Sequence, residues 1–224
     1  NTRAIVVDDG KTRLAIVVTD MTTIPDYVFN RAKELAEKKT GIPQDHMLMT
    51  ATHTHSSPRM GIDHGELDVE YERFVATQMA AAIGQACENL APAEIGWGVG
   101  EKPELVCTRR WLMKPGTVPP DPFGGTHDRV RFIPPAASPD MVEPAGPVDP
   151  QVSVLSIRHR DGRPMALLGN FGIHYAGGAK GREVSADYFG VFARRVEEML
   201  GEASKERPFV AMMSNGTSGD VYNG

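Results

Sequence analysis

Two histidines set one residue apart, His53 and His55, are where this sequence is richest in chemistry. They lie in residues 48–61, LMTATHTHSSPRMG, where Met49, Ala51, His53 and His55 alternate with Leu48, Thr50, Thr52 and Thr54. In an extended strand, side chains two apart share a face. A strand running through this stretch therefore presents the two imidazoles side by side, just before Ser56, Ser57 and Pro58 break it. Neutral imidazole nitrogen suits zinc, copper, nickel or iron. A pair of hydrogen-bonding histidines at a strand end is the alternative that this spacing leaves open.

The flanking elements say where such a pair would stand. Residues 4–7 and 14–19 are β-branched runs joined across Asp8-Asp9-Gly10-Lys11, a hairpin signal. The second run, LAIVVT, is apolar throughout, as a strand buried on both faces should be. A helix is expected over 26–39, with Val28, Ala32, Leu35 and Ala36 on one stripe and Gly41 as its stop. Strand, helix, strand over 14–52 is a right-handed crossover with parallel strands. Sites in open α/β sheets gather at the carboxyl ends of the strands, where Asp20 and the histidine pair both fall. Asp20 reads equally as a carboxylate orienting a ligating histidine or as a capping loop residue.

Further along, a long helix is expected over 69–90 and a strand over 94–99. Cys107-Thr108-Arg109-Arg110-Trp111 follows, on residues alone a surface arginine pair beside a packed aromatic. Residues 115–150 hold ten prolines and little periodicity, which predicts a loop or lid rather than a mere connection. Within it Phe123, Phe132, Met141 and Val142 either line an apolar path or anchor the loop. A second hairpin is expected from 151–158 and 163–171 around His159-Arg160-Asp161-Gly162, and its second strand delivers His174 among small residues that permit close backbone approach. Ser185 reads as the N-cap of a helix to about residue 200, with Asp187 in its first turn. The last strand is expected over 208–213, before a glycine-rich loop over 214–224. The fold class is therefore α/β, with a mixed, largely buried sheet flanked by helices in one domain over 1–224.

At 224 residues the chain can bury a sizeable core. A formal charge of −5, with no Lys/Arg cluster, argues against a nucleic-acid surface. No run approaches the ~18 apolar residues of a membrane helix. Cys87 and Cys107 are too few for a disulfide framework. The sequence starts at Asn1 rather than Met, which is compatible with an upstream segment, and its glycine-rich end predicts that the domain continues.

Four segments in order carry a family resemblance: THTHS with its Ser-Pro turn; DPQVSVLS over 149–156; NFGIH over 170–174; and FVAMM over 209–213, running into Gly219-Asp220-Val221. Together they resemble the N-terminal catalytic domain of the neutral/alkaline, non-lysosomal ceramidase family, amidases that cleave N-acylsphingosine. The resemblance implies a Zn2+-dependent hydrolase acting on an N-acyl lipid or related N-acyl compound. It makes His53 and His174 the zinc ligands, sets His55 beside them to steady the water or the tetrahedral oxyanion, and places Arg109 in the pocket while Arg110 faces away. The family completes its zinc site with a Glu and a Tyr from further along. It also implies a secreted or periplasmic protein, with peripheral membrane contact by its lipid substrate.

This chain departs from the family at the nucleophile. The family's Gly-Asp-Val-Ser-Pro-Asn becomes Gly219-Asp220-Val221-Tyr222-Asn223, a phenol where the family has its attacking alcohol. The expectation is attack by metal-bound hydroxide, with Tyr222 as a donor to the oxyanion and Ser214 or Ser218 as the nearby alcohols. Two other readings stand beside this one: a non-catalytic binding module on the same scaffold, and an esterase or deacylase of another substrate class.

Overall fold

The computed structural model describes residues 1–61, 66–180, 183–200 and 209–223. β1 (Thr2–Asp8) and β2 (Arg13–Thr19) form the expected antiparallel hairpin. Its turn is closed by side chains: the Asp8 carboxylate accepts the Gly10 N–H at 2.7 Å, and the Asp9 carboxylate accepts those of Lys11 and Thr12. Gly10 sits at φ 87°, where a side chain would be strained. Helix α1 (Asp26–Thr40) ends at Gly41, also left-handed at φ 74°, whose N–H bonds the Glu37 carbonyl at 2.8 Å. The chain returns as β3 (Met47–Ala51), parallel to β2.

Helix α2 (Glu66–Glu88) then leads to β4 (Ala93–Glu101) and four short strands, β5 (Val106–Thr108), β6 (Arg110–Met113), β7 (Val130–Phe132) and β8 (Met141–Pro144). The hairpin β9 (Gln151–His159) and β10 (Pro164–Phe171) precedes α3 (Asp187–Leu200), β11 (Val210–Asn215) and β12 (Val221–Asn223). Pro208, the expected first residue of the last strand, lies outside the described residues, and β12 follows where only a glycine-rich loop was expected.

The α/β class holds, but the strands are shared between two stacked main sheets rather than gathered into one. One has the order β1-β2-β3, the other β11-β10-β9-β4, with β10 and β11 parallel and the remaining pairs antiparallel. Alternation within β1 and β2 explains the stacking. Val6, Ala15 and Val17 turn to Val28, Ala32, Met79 and Ile83 of α1 and α2. Ile5 and Val18 point the other way, onto Ile157, Ala166 and Met212 of the second sheet. The far face of that sheet is covered by α3, through Phe189 against Phe171 and Met213, and through Ala193 against Ala211. The layers run helix, sheet, sheet, helix, so the LAIVVT strand is buried on both faces as its composition demands.

Two expectations are corrected. The 115–150 stretch is not structureless: β7 and β8 from it flank β6 in a three-stranded sheet. Its apolar residues are poor anchors, since Phe123 is 97% exposed and Phe132 and Val142 are about half exposed. The strand before the histidines also stops early, at Ala51. Thr52 and Thr54 are both fully buried, and the Thr52 and His53 N–H groups bond the carbonyls of Thr19 and Met21. These bonds hold the chain beyond the β3 ladder and force a turn there.

Candidate metal centre

His53 carries that turn itself, at φ 65°, a left-handed conformation that costs a non-glycine residue about 1–2 kcal/mol. Strand alternation therefore does not set the two imidazoles side by side; the turn does. His55 Nε2 lies 3.1 Å from His53 Nε2, with the ring planes almost perpendicular. His174, just past the end of β10, joins them: its ring centroid lies 4.8 Å from that of His53 and 5.0 Å from that of His55. Ligand nitrogens of all three lie within 4.8 Å of one another, a group able to hold a metal ion.

Backbone carbonyls aim these rings. His53 Nδ1 is 2.9 Å from the Thr22 carbonyl oxygen, and His174 Nδ1 is 3.3 Å from that of Ser218. A proton on each Nδ1 leaves Nε2 as the free lone pair, the tautomer metal coordination requires. The Asp20 carboxylate is engaged by Arg3 at 3.3 Å and by the Asn1 ammonium at 3.4 Å, and bonds no imidazole of the cluster among the described residues. His55 is fixed by the Tyr175 ring, stacked at 4.0 Å and 18°. Burial pushes the His55 pKa down first, helped by His53, His174, Arg109 and Arg59. His55 is nonetheless exposed as a residue. Burial also lowers the pKa of His174, against the raising effect of its Ser218 bond, with Arg109 and His53 adding to the fall. Both rings are therefore neutral at neutral pH, the form that coordinates.

The segment that enters α3 fastens both histidine loops. Thr54 Oγ1 donates to the Ser185 carbonyl at 2.7 Å, and the Ser185 N–H donates to the Ser56 carbonyl at 2.8 Å. Asp187, buried and left-handed at φ 53°, accepts the N–H groups of Ala176 and Gly177 at 2.9 and 2.8 Å. The Tyr188 hydroxyl donates to the Ile173 carbonyl at 3.0 Å. The helix dipole accounts for an acid at that position, and so hides its second task from a reading of the sequence. Tyr175 was within reach of such a reading, since it adjoins His174.

Arg109, between β5 and β6, is tied to the same 218–219 loop that holds His174. Its Nη1 donates to the Gly219 carbonyl at 3.3 Å, next to the Ser218 carbonyl that holds the imidazole. Its guanidinium lies 4.7 Å from the Phe132 ring centroid and 5.5 Å from that of Tyr222. Arg110 is exposed and ion-paired to Asp220 at 2.8 Å. Tyr222 pairs with Cys107 in the β12–β5 ladder, so its ring face meets Arg109. Ser214 Oγ donates to the Gly169 carbonyl and accepts from Asn170, while Ser218 is buried. A cavity of 820 Å³, lined by Ile5, Val7, Leu90, Ile95, Ile157 and Met165, lies elsewhere, against the β1–β2 and β9–β10 turns. No histidine of the cluster lines it.

Neither a protein-family model nor a curated protein matches the chain. Among solved structures it is similar to the neutral ceramidase from Pseudomonas aeruginosa, with a TM-score of 0.72 and 20% identity, covering 99% of this chain and 33% of that one. It is also similar to a ceramidase complexed with C2, with a TM-score of 0.67 and 22% identity, covering 99% of this chain and 32% of that one. The chain thus spans about a third of the length of these ceramidase chains. Its three-histidine group stands on a ceramidase-like fold.

Proposed function

We propose that this chain carries the zinc site of an amidohydrolase acting on an N-acyl lipid or related N-acyl compound. The observation that carries the reading is the convergence of His53, His55 and His174 from two loops. Three imidazoles are a donor set that zinc takes in hydrolytic sites, with a fourth position left open. When bound there, zinc would polarise a scissile carbonyl and acidify water toward neutral pH. His53 and His174 would hold the ion through Nε2, since the Thr22 and Ser218 carbonyls engage their other nitrogens. The 3.1 Å between the Nε2 atoms of His55 and His53 supports His55 as a third donor, a closer role than the resemblance gave it.

Arg109 then supplies a fixed positive charge that orients the substrate beside the histidines, and losing it should lower turnover. Hydrolysis proceeds by direct attack of water, without an acyl-enzyme. Ser214 is committed to the sheet, Ser218 is buried, and the Tyr222 ring is turned to a guanidinium, which leaves the phenol as a hydrogen-bond donor at most. The Tyr222 substitution also favours a second reading, a binding module without turnover. The two readings separate on zinc content by mass spectrometry, measured beside hydrolysis of N-acylsphingosine. Stoichiometric zinc with release of fatty acid supports the enzyme; zinc without hydrolysis supports the module. Single turnover in ¹⁸O-water, with mass spectrometry of the quenched protein, tests the water step. An acyl adduct on Ser214, Ser218 or Tyr222 would overturn it.

A further inference from the structure

Arg109 has more hydrogen-bonding capacity than the described residues use. Its guanidinium makes one hydrogen bond, from Nη1 to the Gly219 carbonyl, and no ion pair among the described residues. Its Nε–H is buried with no acceptor, and Nη2 makes no hydrogen bond among the described residues. An orphaned buried donor of this kind is costly, and more so when the group is charged. Asp220, the acid that follows Gly219, is taken by Arg110. Around the site stand the imidazoles of His55 and His174 and a second guanidinium, Arg59, and no carboxylate pairs with Arg109 among the described residues.

The unused Nε/Nη2 edge is the edge on which a guanidinium grips a carboxylate in two parallel hydrogen bonds. Phe132 and Tyr222 hold the plane of the fork. Arg109 and His174 grip adjacent carbonyls of one loop, and successive Cα atoms are only about 3.8 Å apart. An anion on Arg109 therefore lies next to whatever the histidines address. In an N-acyl amino acid the carboxylate sits one carbon beyond the amide nitrogen, within that reach.

We infer that Arg109 is a carboxylate subsite, with its Nε/Nη2 edge and the His174 nitrogen facing one ligand, and that the N-acyl compound bound is an N-acyl amino acid rather than a neutral N-acyl amino alcohol. This rests on the proposed amidohydrolase reading for its substrate class, but binding tests it without any turnover. Titration calorimetry compares N-lauroylglycine, N-lauroylethanolamine and laurate, on the chain stripped with EDTA and on the same chain with zinc. N-Lauroylglycine should bind at least about tenfold more tightly than the ethanolamide, with or without zinc, as charge-assisted pairing predicts. Arg109→Gln should erase the difference, and Arg109→Lys should restore part of it, with circular dichroism confirming the fold of both. Equal affinity for the glycine conjugate and the ethanolamide overturns the inference. So does a preference that appears only with zinc, because the metal would then be the group holding the carboxylate. Arg109-dependent binding of laurate without preference for the glycine conjugate overturns it too, by moving the subsite to the acyl product. Absence of hydrolysis leaves the inference standing and removes only the amidase reading.

Discussion

At the scale of single residues, coordination and orientation are separable. His53→Ala and His174→Ala should each lower zinc affinity by more than the about 10–100-fold that loss of an outer hydrogen-bond partner costs. His55→Ala should match them if it is a donor, and should fall within that smaller range if it only flanks the ion. Competition with a chelator of known affinity reads all three. Protonation gives a second test. His174 has a folded pKa below its unfolded value of about 6.5, so the unfolded chain binds more protons as pH falls. The zinc-free protein should therefore lose stability as pH drops through about 6.5, levelling off below the folded pKa, with no contribution from this group above about pH 7.5. Thermal melts of EDTA-treated protein at pH 7.5 and 5.5 measure the slope, and His174→Gln should flatten it. The histidines were legible as donors from type and spacing, yet their meeting depends on the left-handed turn at His53, which nothing in the local pattern announces. Arg109 was legible only through resemblance, because its partners Phe132 and Gly219 are remote in sequence.

Among the elements, the entry to α3 is the joint. Asp187→Ala removes a buried carboxylate that satisfies the Ala176, Gly177 and Tyr188 N–H groups, and also puts a less suited residue at φ 53°. A loss of about 2 kcal/mol is expected, since hydrogen bonds to charged groups contribute about 1.5–3 kcal/mol. Asp187→Asn should be milder, because asparagine tolerates the left-handed region and keeps one acceptor. Denaturant melts of the two variants check the order. The elements themselves were largely legible: the hairpin turn, the α1 stop at Gly41 and the crossover to β3 follow from local chemistry. Residues 115–150 were not, because β7 and β8 are short strands whose partner, β6, supplies the pairing that local sequence lacks.

For the whole molecule, periodicity identifies strands but not how sheets stack, and the division into two sheets depends on which face of β1 and β2 meets Ile157 and Met212. The outer strand β4 shows what remains uncovered. Gly96, Gly98 and Gly100 leave open space on one face, while Ile95, Trp97 and Val99 are exposed on the other, Trp97 by 84%. A long edge of this kind invites pairing with another chain. Trp97→Lys should lower sedimentation-detected self-association at high protein concentration while leaving the melting temperature within a few degrees. Unchanged association would show that the β4 edge does not self-pair.

The joint at α3 has a further consequence, for motion. Residues 185–188 are bonded to the His53–His55 turn and to the His174 segment alike, so neither loop can open while the first turn of the helix stays in place. Zinc shared between those loops would tax every fluctuation that unzips the helix start. Amide hydrogens of the first α3 turns should then exchange with deuterium more slowly once zinc is bound, in proportion to the occupancy of a site they do not touch.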